Sequence, residues 1–191
     1  MQYFPVSPRM VTGIPINHHP GAFGFKRRKN FHVGIDIYVD GPCSVTACES
    51  GEVIKIGQFT GGKESPWWKD TWAVSVKGER AICNYGGIEE PLHLKVGQHV
   101  NERDHIGLIT NVIFPERARP DIPGHSIFML HFERYKKGAQ ETLNWSHWHH
   151  EGEAIPRDPN LLDPLPFLLQ CQGFPDDEFV SWYNPDCIGV G

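Results

Sequence analysis

The chain has 191 residues, of which 39% are hydrophobic and 12% aromatic, and a formal net charge of −5. That length and apolar content exclude a disordered chain and suit one domain with its own core. The acidic balance argues against a nucleic-acid binder, and no apolar run reaches the ~18 residues of a membrane span.

Residues 1–30, rich in Pro, Gly and His, read as an irregular segment leading into the domain. They hold the one basic cluster, Lys26-Arg27-Arg28-Lys29, which reads as a solvated loop rather than a phosphate site. The opening stretch MQYFPVSPRMVTG lacks a charged start followed by an apolar run. No secretory signal is therefore expected, and the protein is expected in the cytoplasm unless another route exports it. Residues 31–140 read as a β domain. The runs CSVTAC, GEVIKIGQF, WAVSVK, RAICNY, HIGLIT and SIFMLHFERY are β-branched and aromatic, with Gly-containing turns between them. No stretch there keeps a helical period for three turns. The expected fold is all-β, a compact antiparallel or sandwich-like sheet domain with long loops near 59–71, 86–95 and 111–125. Residues 141–191 read as an extension packed on that domain. Within it PNLLDPLPFLL predicts one short helix capped by Asn160 or Asp163.

Five cysteines include no CxxC pair and read most simply as buried or free thiols. The eleven histidines are more informative by placement than by number. FHVGIDIYVD sets His32 and Asp36 four apart. On a straight strand their side chains stand roughly 13 Å apart. Zinc ligands must approach within about 3–4 Å of one another. A shared metal therefore requires the chain to bend, and Gly34 is the residue that permits it. An edge histidine beside an exposed aspartate is an equally good local reading. In SIFMLHFERY, Met129, His131 and Glu133 share one strand face, with Leu130 and Phe132 on the other. Two His and one Asp make a three-ligand set that leaves one zinc position open for water, the pattern of a catalytic site.

Taken in order, HVGID, CSVTACESGEVIKIG, LKVGQHVNERDHIGLI, MLHFE and a later Asp163-Pro164 resemble the lysostaphin-type zinc endopeptidases. The resemblance spans residues from about 21 to 165. It implies a mostly antiparallel β fold with a groove over a zinc ion, and hydrolysis of peptidoglycan cross-link peptides. It also implies His32, Asp36 and His131 as the Zn2+ ligands. Glu133, on the face of His131, reads as a group that orients a ligand or the strand. Two departures stand out. Where such enzymes carry the base, the first His of HxH, this chain has Met129. Where they carry a second proton-handling His, it has Gly87. The chain thus reads as a divergent branch that keeps the zinc set and lacks both histidines.

Losing a positioned base commonly costs ~10²–10⁴ in rate. Glu89, Glu90 and His93, just after Gly87, are the candidate replacements. His125 shares the face of His131 but lies roughly 13 Å along a straight strand from Met129. The rival reading is a catalytically inactive zinc-binding module that recognises a peptide or glycan. A biotinyl-type carrier would need a lysine at a hairpin tip, and none is evident. His147, His149 and His150 of SHWHH read as a groove-edge loop. His18 and His19 precede the domain and are candidates to fold over the groove. Trp67, Trp68 and Trp72 suit a groove wall or the core equally well.

Overall fold

The computed structural model describes residues 1–16, 18–61, 66, 68–118, 126–139, 148–152 and 154–175. In chain order its elements are β1 (Val11–Gly13), β2 (Ile35–Val39), β3 (Ser44–Thr46), β4 (Gly51–Thr60), β5 (Thr71–Gly78), β6 (Ala81–Ile88), β7 (His99–Val100), β8 (His105–Leu108), β9 (Met129–Lys136), β10 (Leu161–Leu162) and α1 (Leu165–Leu168). The main sheet runs β1-β2-β9-β6-β5-β4-β7, with β10 paired to β9, and β3 and β8 form a second, two-stranded sheet. The strand pairs are antiparallel. The fold is the all-β one expected, and the one α-helix among the described residues falls where PNLLDPLPFLL placed it. The Asp163 carboxylate accepts the Leu165 N–H at 2.9 Å, ahead of its first turn.

The two faces of the main sheet divide the labour. Ile35, Ile37 and Val39 of β2, Cys83 and Tyr85 of β6, and Leu130 and Phe132 of β9 enter the large core. The second sheet contributes Val45 and Ile106 to the same core. Alternation then turns Asp36 and Tyr38, Asn84 and Gly86, and Met129, His131 and Glu133 to the opposite face. Register sets these side by side, because Asp36 pairs with His131 and Tyr38 with Met129. Gly86 likewise pairs with His131 and Asn84 with Glu133.

Residues 1–30 are more integrated than an irregular lead-in. Their β1 extends the sheet, and Phe4, Val6, Val11 and Ile14 are part of the core. The far end contributes Phe167, Leu168 and Cys171 to that core. Cys43, Cys48, Cys83 and Cys171 are buried free thiols, as expected, and burial raises each of them. Cys187 lies outside the described residues. No helix among the described residues is long and apolar enough to cross a membrane.

Candidate metal centre

The chain bends at Gly34 between His32 and the start of β2. Glycine is needed there for room rather than for handedness. Gly34 is not among the positive-φ glycines. A Cβ on it would stand 2.7 Å from the His131 ring and from the Phe132 carbonyl oxygen. The bend swings His32 over its strand neighbours. His32 Nε2 lies 3.3 Å from Asp36 Oδ1 and 3.1 Å from His131 Nδ1, and Asp36 Oδ1 lies 2.8 Å from His131 Nδ1. All three residues are buried. Among the described residues this is the one group of His, Cys, Asp and Glu whose ligand atoms converge.

Each ligand is held from behind. His32 Nδ1–H donates to the Ala22 carbonyl at 3.0 Å, so its Nε2 presents a lone pair. Arg27 Nη2–H donates to Asp36 Oδ2 at 3.2 Å, which leaves Oδ1 for the centre. His131 Nε2–H donates to Glu133 Oε1 at 2.8 Å. Glu133 Oε2 is occupied by the Tyr135 hydroxyl (2.6 Å) and the Asn84 amide N–H (3.2 Å), and Asn84 Oδ1 in turn accepts the Ser75 hydroxyl at 3.0 Å. A buried polar row thus crosses β5, β6 and β9 and ends on His131. It fixes both the orientation and the tautomer of that ring, as the outer groups of metal sites do.

Electrostatics follow from the geometry. Burial holds His32 below its usual value despite the pull of Asp36. Burial works against the charge of Asp36 too, yet His32 and His131 keep its carboxyl well below the usual carboxylate range. Burial opposes a charged His131, but hydrogen bonds to Asp36 and Glu133 outweigh it and push that imidazole up to about 9. The hydrogen bonds to Asp36 and Glu133 therefore favour a proton on His131, and a cation that replaced it would find three donors. The separations of 3.1 and 3.3 Å lie within the ~3–4 Å between ligand atoms round one zinc ion, and the 2.8 Å between Asp36 Oδ1 and His131 Nδ1 is a hydrogen-bond distance that a shared ion would widen slightly. The His/Asp/His donor set and these distances fit zinc.

A cavity of about 440 Å³ opens over the cluster, walled by Phe31, Tyr38, Phe59, Trp68 and Met129. Phe59 and Trp68 come from the expected long loop near 59–71, and Val112 and Ile113 from that near 111–125, whereas Phe31, Tyr38 and Met129 come from the chain before β2, from β2 and from β9, and the loop near 86–95 adds nothing to the lining. Trp68 forms a β-bridge with Ile113, and the Lys69 N–H donates to the Val112 carbonyl at 2.8 Å. Phe59 lies over His131 with ring centroids 4.9 Å apart, and it needs Gly86 beneath it, where a Cβ would come within 3.0 Å of its ring.

The structure brings His32, Asp36, His131, Glu133 and Met129 to this cavity. It does not bring Glu89, Glu90 or His93 there, none of which lines it. Glu89 and Glu90 are exposed beyond the end of β6. His93 Nε2–H donates to the His105 carbonyl at 3.2 Å, and its ring stacks on His105. Gly87 is the extra residue of a β-bulge, since Trp72 pairs with Ile88 but Ala73 with Gly86. Its φ of +85° and a Met129 carbonyl oxygen 2.6 Å from any Cβ reserve the place for glycine.

His19 is buried against the cavity-wall residue Tyr38, with ring centroids 5.5 Å apart and its Nδ1 accepting the Gly21 N–H at 3.0 Å, and it is no part of the cluster. His150 Nε2–H donates to the Arg27 carbonyl at 2.8 Å, which places that segment at the groove edge as read. Trp72 packs against the core, while Trp67, His125 and His147 lie outside the described residues. Sequence reading missed Arg27, Asn84, Ser75 and Phe59. Tyr135 alone carried a signal, two residues after Glu133 on the same face.

No family model matches the sequence, and no curated protein matches it. Solved structures do. Lysostaphin from Staphylococcus simulans superposes with a TM-score of 0.53 at 14% identity, covering 91% of this chain and 56% of that one. The catalytic domain of the same peptidase gives 0.46 at 16%, covering 84% and 90%. The protein cbpa from L. salivarius REN gives 0.49 at 20%, covering 81% and 86%. The chain thus spans little more than half of the full lysostaphin that it matches, and over that span it has the lysostaphin fold.

Proposed function

We propose that the protein is a zinc-dependent, peptidase-like hydrolase that acts on peptides of the peptidoglycan cross-link type. The observation that carries this reading is the convergence of His32 Nε2, Asp36 Oδ1 and His131 Nδ1 at the floor of an open cavity. A zinc ion bound there supplies Lewis acidity, which makes water acidic near pH 7 and polarises a carbonyl. The chain itself provides three oriented donors, with Ala22, Arg27 and Glu133 behind them. The aromatic walls of the cavity limit water and strengthen the charges inside it. The lysostaphin fold agrees with the reading without establishing it.

A second reading has its own support. The described residues lining the cavity offer no carboxylate or imidazole beyond His32, Asp36, His131 and Glu133, all committed to one another. With Met129 and Gly87 in the two proton-handling places, a silent zinc module that binds peptide fits equally well.

Metal analysis followed by incubation with purified peptidoglycan and defined cross-link peptides separates the two, with His131→Ala as control. Zinc-dependent cleavage lost in the variant supports the hydrolase. Stoichiometric zinc without cleavage supports the silent module, and equal cleavage by both proteins would sink the zinc-hydrolase reading.

A further inference from the structure

Of the basic run Lys26–Lys29, one side chain turns inward. Lys26 and Phe31 form an antiparallel bridge, and the Arg27 N–H donates to the Asn30 carbonyl at 2.8 Å, so Arg28 and Lys29 occupy a tight hairpin tip. The segment after residue 147 clamps this hairpin. His150 Nε2–H donates to the Arg27 carbonyl, and the His150 N–H donates to the Lys29 carbonyl at 3.1 Å. Arg27 is thereby held in the cavity wall, its side chain 37% exposed.

Its guanidinium is only half used. One nitrogen, Nη2, serves both Pro20 O (3.0 Å) and Asp36 Oδ2 (3.2 Å). Among the described residues Nη1 and Nε meet no acceptor, and these donors remain for a ligand. Arg27 is also the one Arg or Lys among the described residues lining the cavity. The two carboxylates there have their oxygens engaged within the protein. Asp36 is tied to Arg27 and both histidines, and Glu133 to His131, Tyr135 and Asn84. With zinc in place, its charge and that of Arg27 outweigh Asp36 and Glu133, so the cavity floor carries net positive charge.

We propose that Arg27 forms a carboxylate subsite beside the metal position, and that the preferred peptide ligand carries a free carboxylate next to the bond presented to the metal. The proposal rests on the zinc reading above. A guanidinium matches a carboxylate in planar, two-pronged fashion, with charge-assisted bonds stronger than neutral ones. The carboxylate has two sources, a peptide C-terminus or an acidic side chain.

The test titrates zinc-saturated protein by NMR with acetyl-trialanine as free acid, the same peptide as amide, and acetyl-Ala-Glu-Ala amide. Mass spectrometry checks that each stays intact, and zinc affinity is measured separately. The expected result is that one of the two carboxylate peptides binds about tenfold tighter than the neutral amide. Which of them does so names the source. Arg27→Gln should remove the preference at saturating zinc. Equal binding of all three peptides to the native protein overturns the proposal, as does a preference that survives in Arg27→Gln. If no zinc is taken up, the metal reading fails. The same peptides titrated into metal-free protein then decide the subsite alone, since the charge of Arg27 does not depend on zinc.

Discussion

Glu133→Gln is the sharpest probe of the centre, because it changes one atom in a row whose donors and acceptors are spoken for. In the native protein Glu133 Oε2 receives two donors, the Tyr135 hydroxyl and the Asn84 amide. A glutamine must keep its carbonyl oxygen there, which leaves its NH2 facing His131 Nε2. Two donors cannot share that contact, so His131 must give up its Nε2 proton and carry its remaining proton on Nδ1. That atom is the one aimed at Asp36 Oδ1 and His32 Nε2. The alternative reverses the whole row, turning Asn84 and with it the bond from Ser75. Either course misdirects a ligand lone pair. The change is isosteric, so the fold should survive while metal affinity falls. Loss of such an outer partner costs 10–100-fold, or about 1.4–2.8 kcal/mol. A chelator competition titration reads the affinity, and nitrogen chemical shifts of the His131 ring read the tautomer. An unchanged affinity with the Nε2–H tautomer retained would refute the argument that Glu133 sets the ring.

Other consequences follow from the same geometry. Zinc must displace the proton that His131 retains up to about pH 9. Apparent affinity should therefore weaken about tenfold per pH unit as pH falls below that value, and level off above it. A flat profile between pH 7 and 9 contradicts the proton count. Met129→His returns an imidazole to the cavity two residues before His131 on the same strand face. Cross-link peptide hydrolysis should rise by ~10² or more, and no gain at full zinc loading argues that more than a base is missing. Gly87→Ala should destabilise by at least ~1–2 kcal/mol in denaturant titrations, from its left-handed backbone and the nearby Met129 carbonyl. A neutral result means that the bulge can relax.

Much of the β architecture was legible, because alternation and turn residues act locally. The six β-like runs all hold strands of the structure, and Asp163 precedes the helix as expected. The short strands β1, β7 and β10 carried too few residues to register a pattern. Residues 1–30 read as an irregular lead-in because Phe4, Val6 and Ile14 are scattered among prolines, and only packing shows that they belong to the core. Glu89, Glu90 and His93 were drawn in by closeness to Gly87 in sequence. The bulge at Gly87 and the end of β6 leave them outside the cavity lining.

By itself the sequence determined the His/Asp/His residue types of a candidate metal site and the need for a bend at Gly34 if they are to share an ion, since ligand chemistry and strand length are local constraints. The resemblance to lysostaphin-type enzymes, not any local pattern, is what marked Met129 and Gly87 as departures. Tertiary structure alone decided that Arg27 reaches Asp36 and that Ser75, Asn84 and Tyr135 stand behind Glu133. Those contacts depend on cross-strand register and on a hairpin folding back over the sheet. Both are set by pairing between distant parts of the chain, which no local pattern encodes.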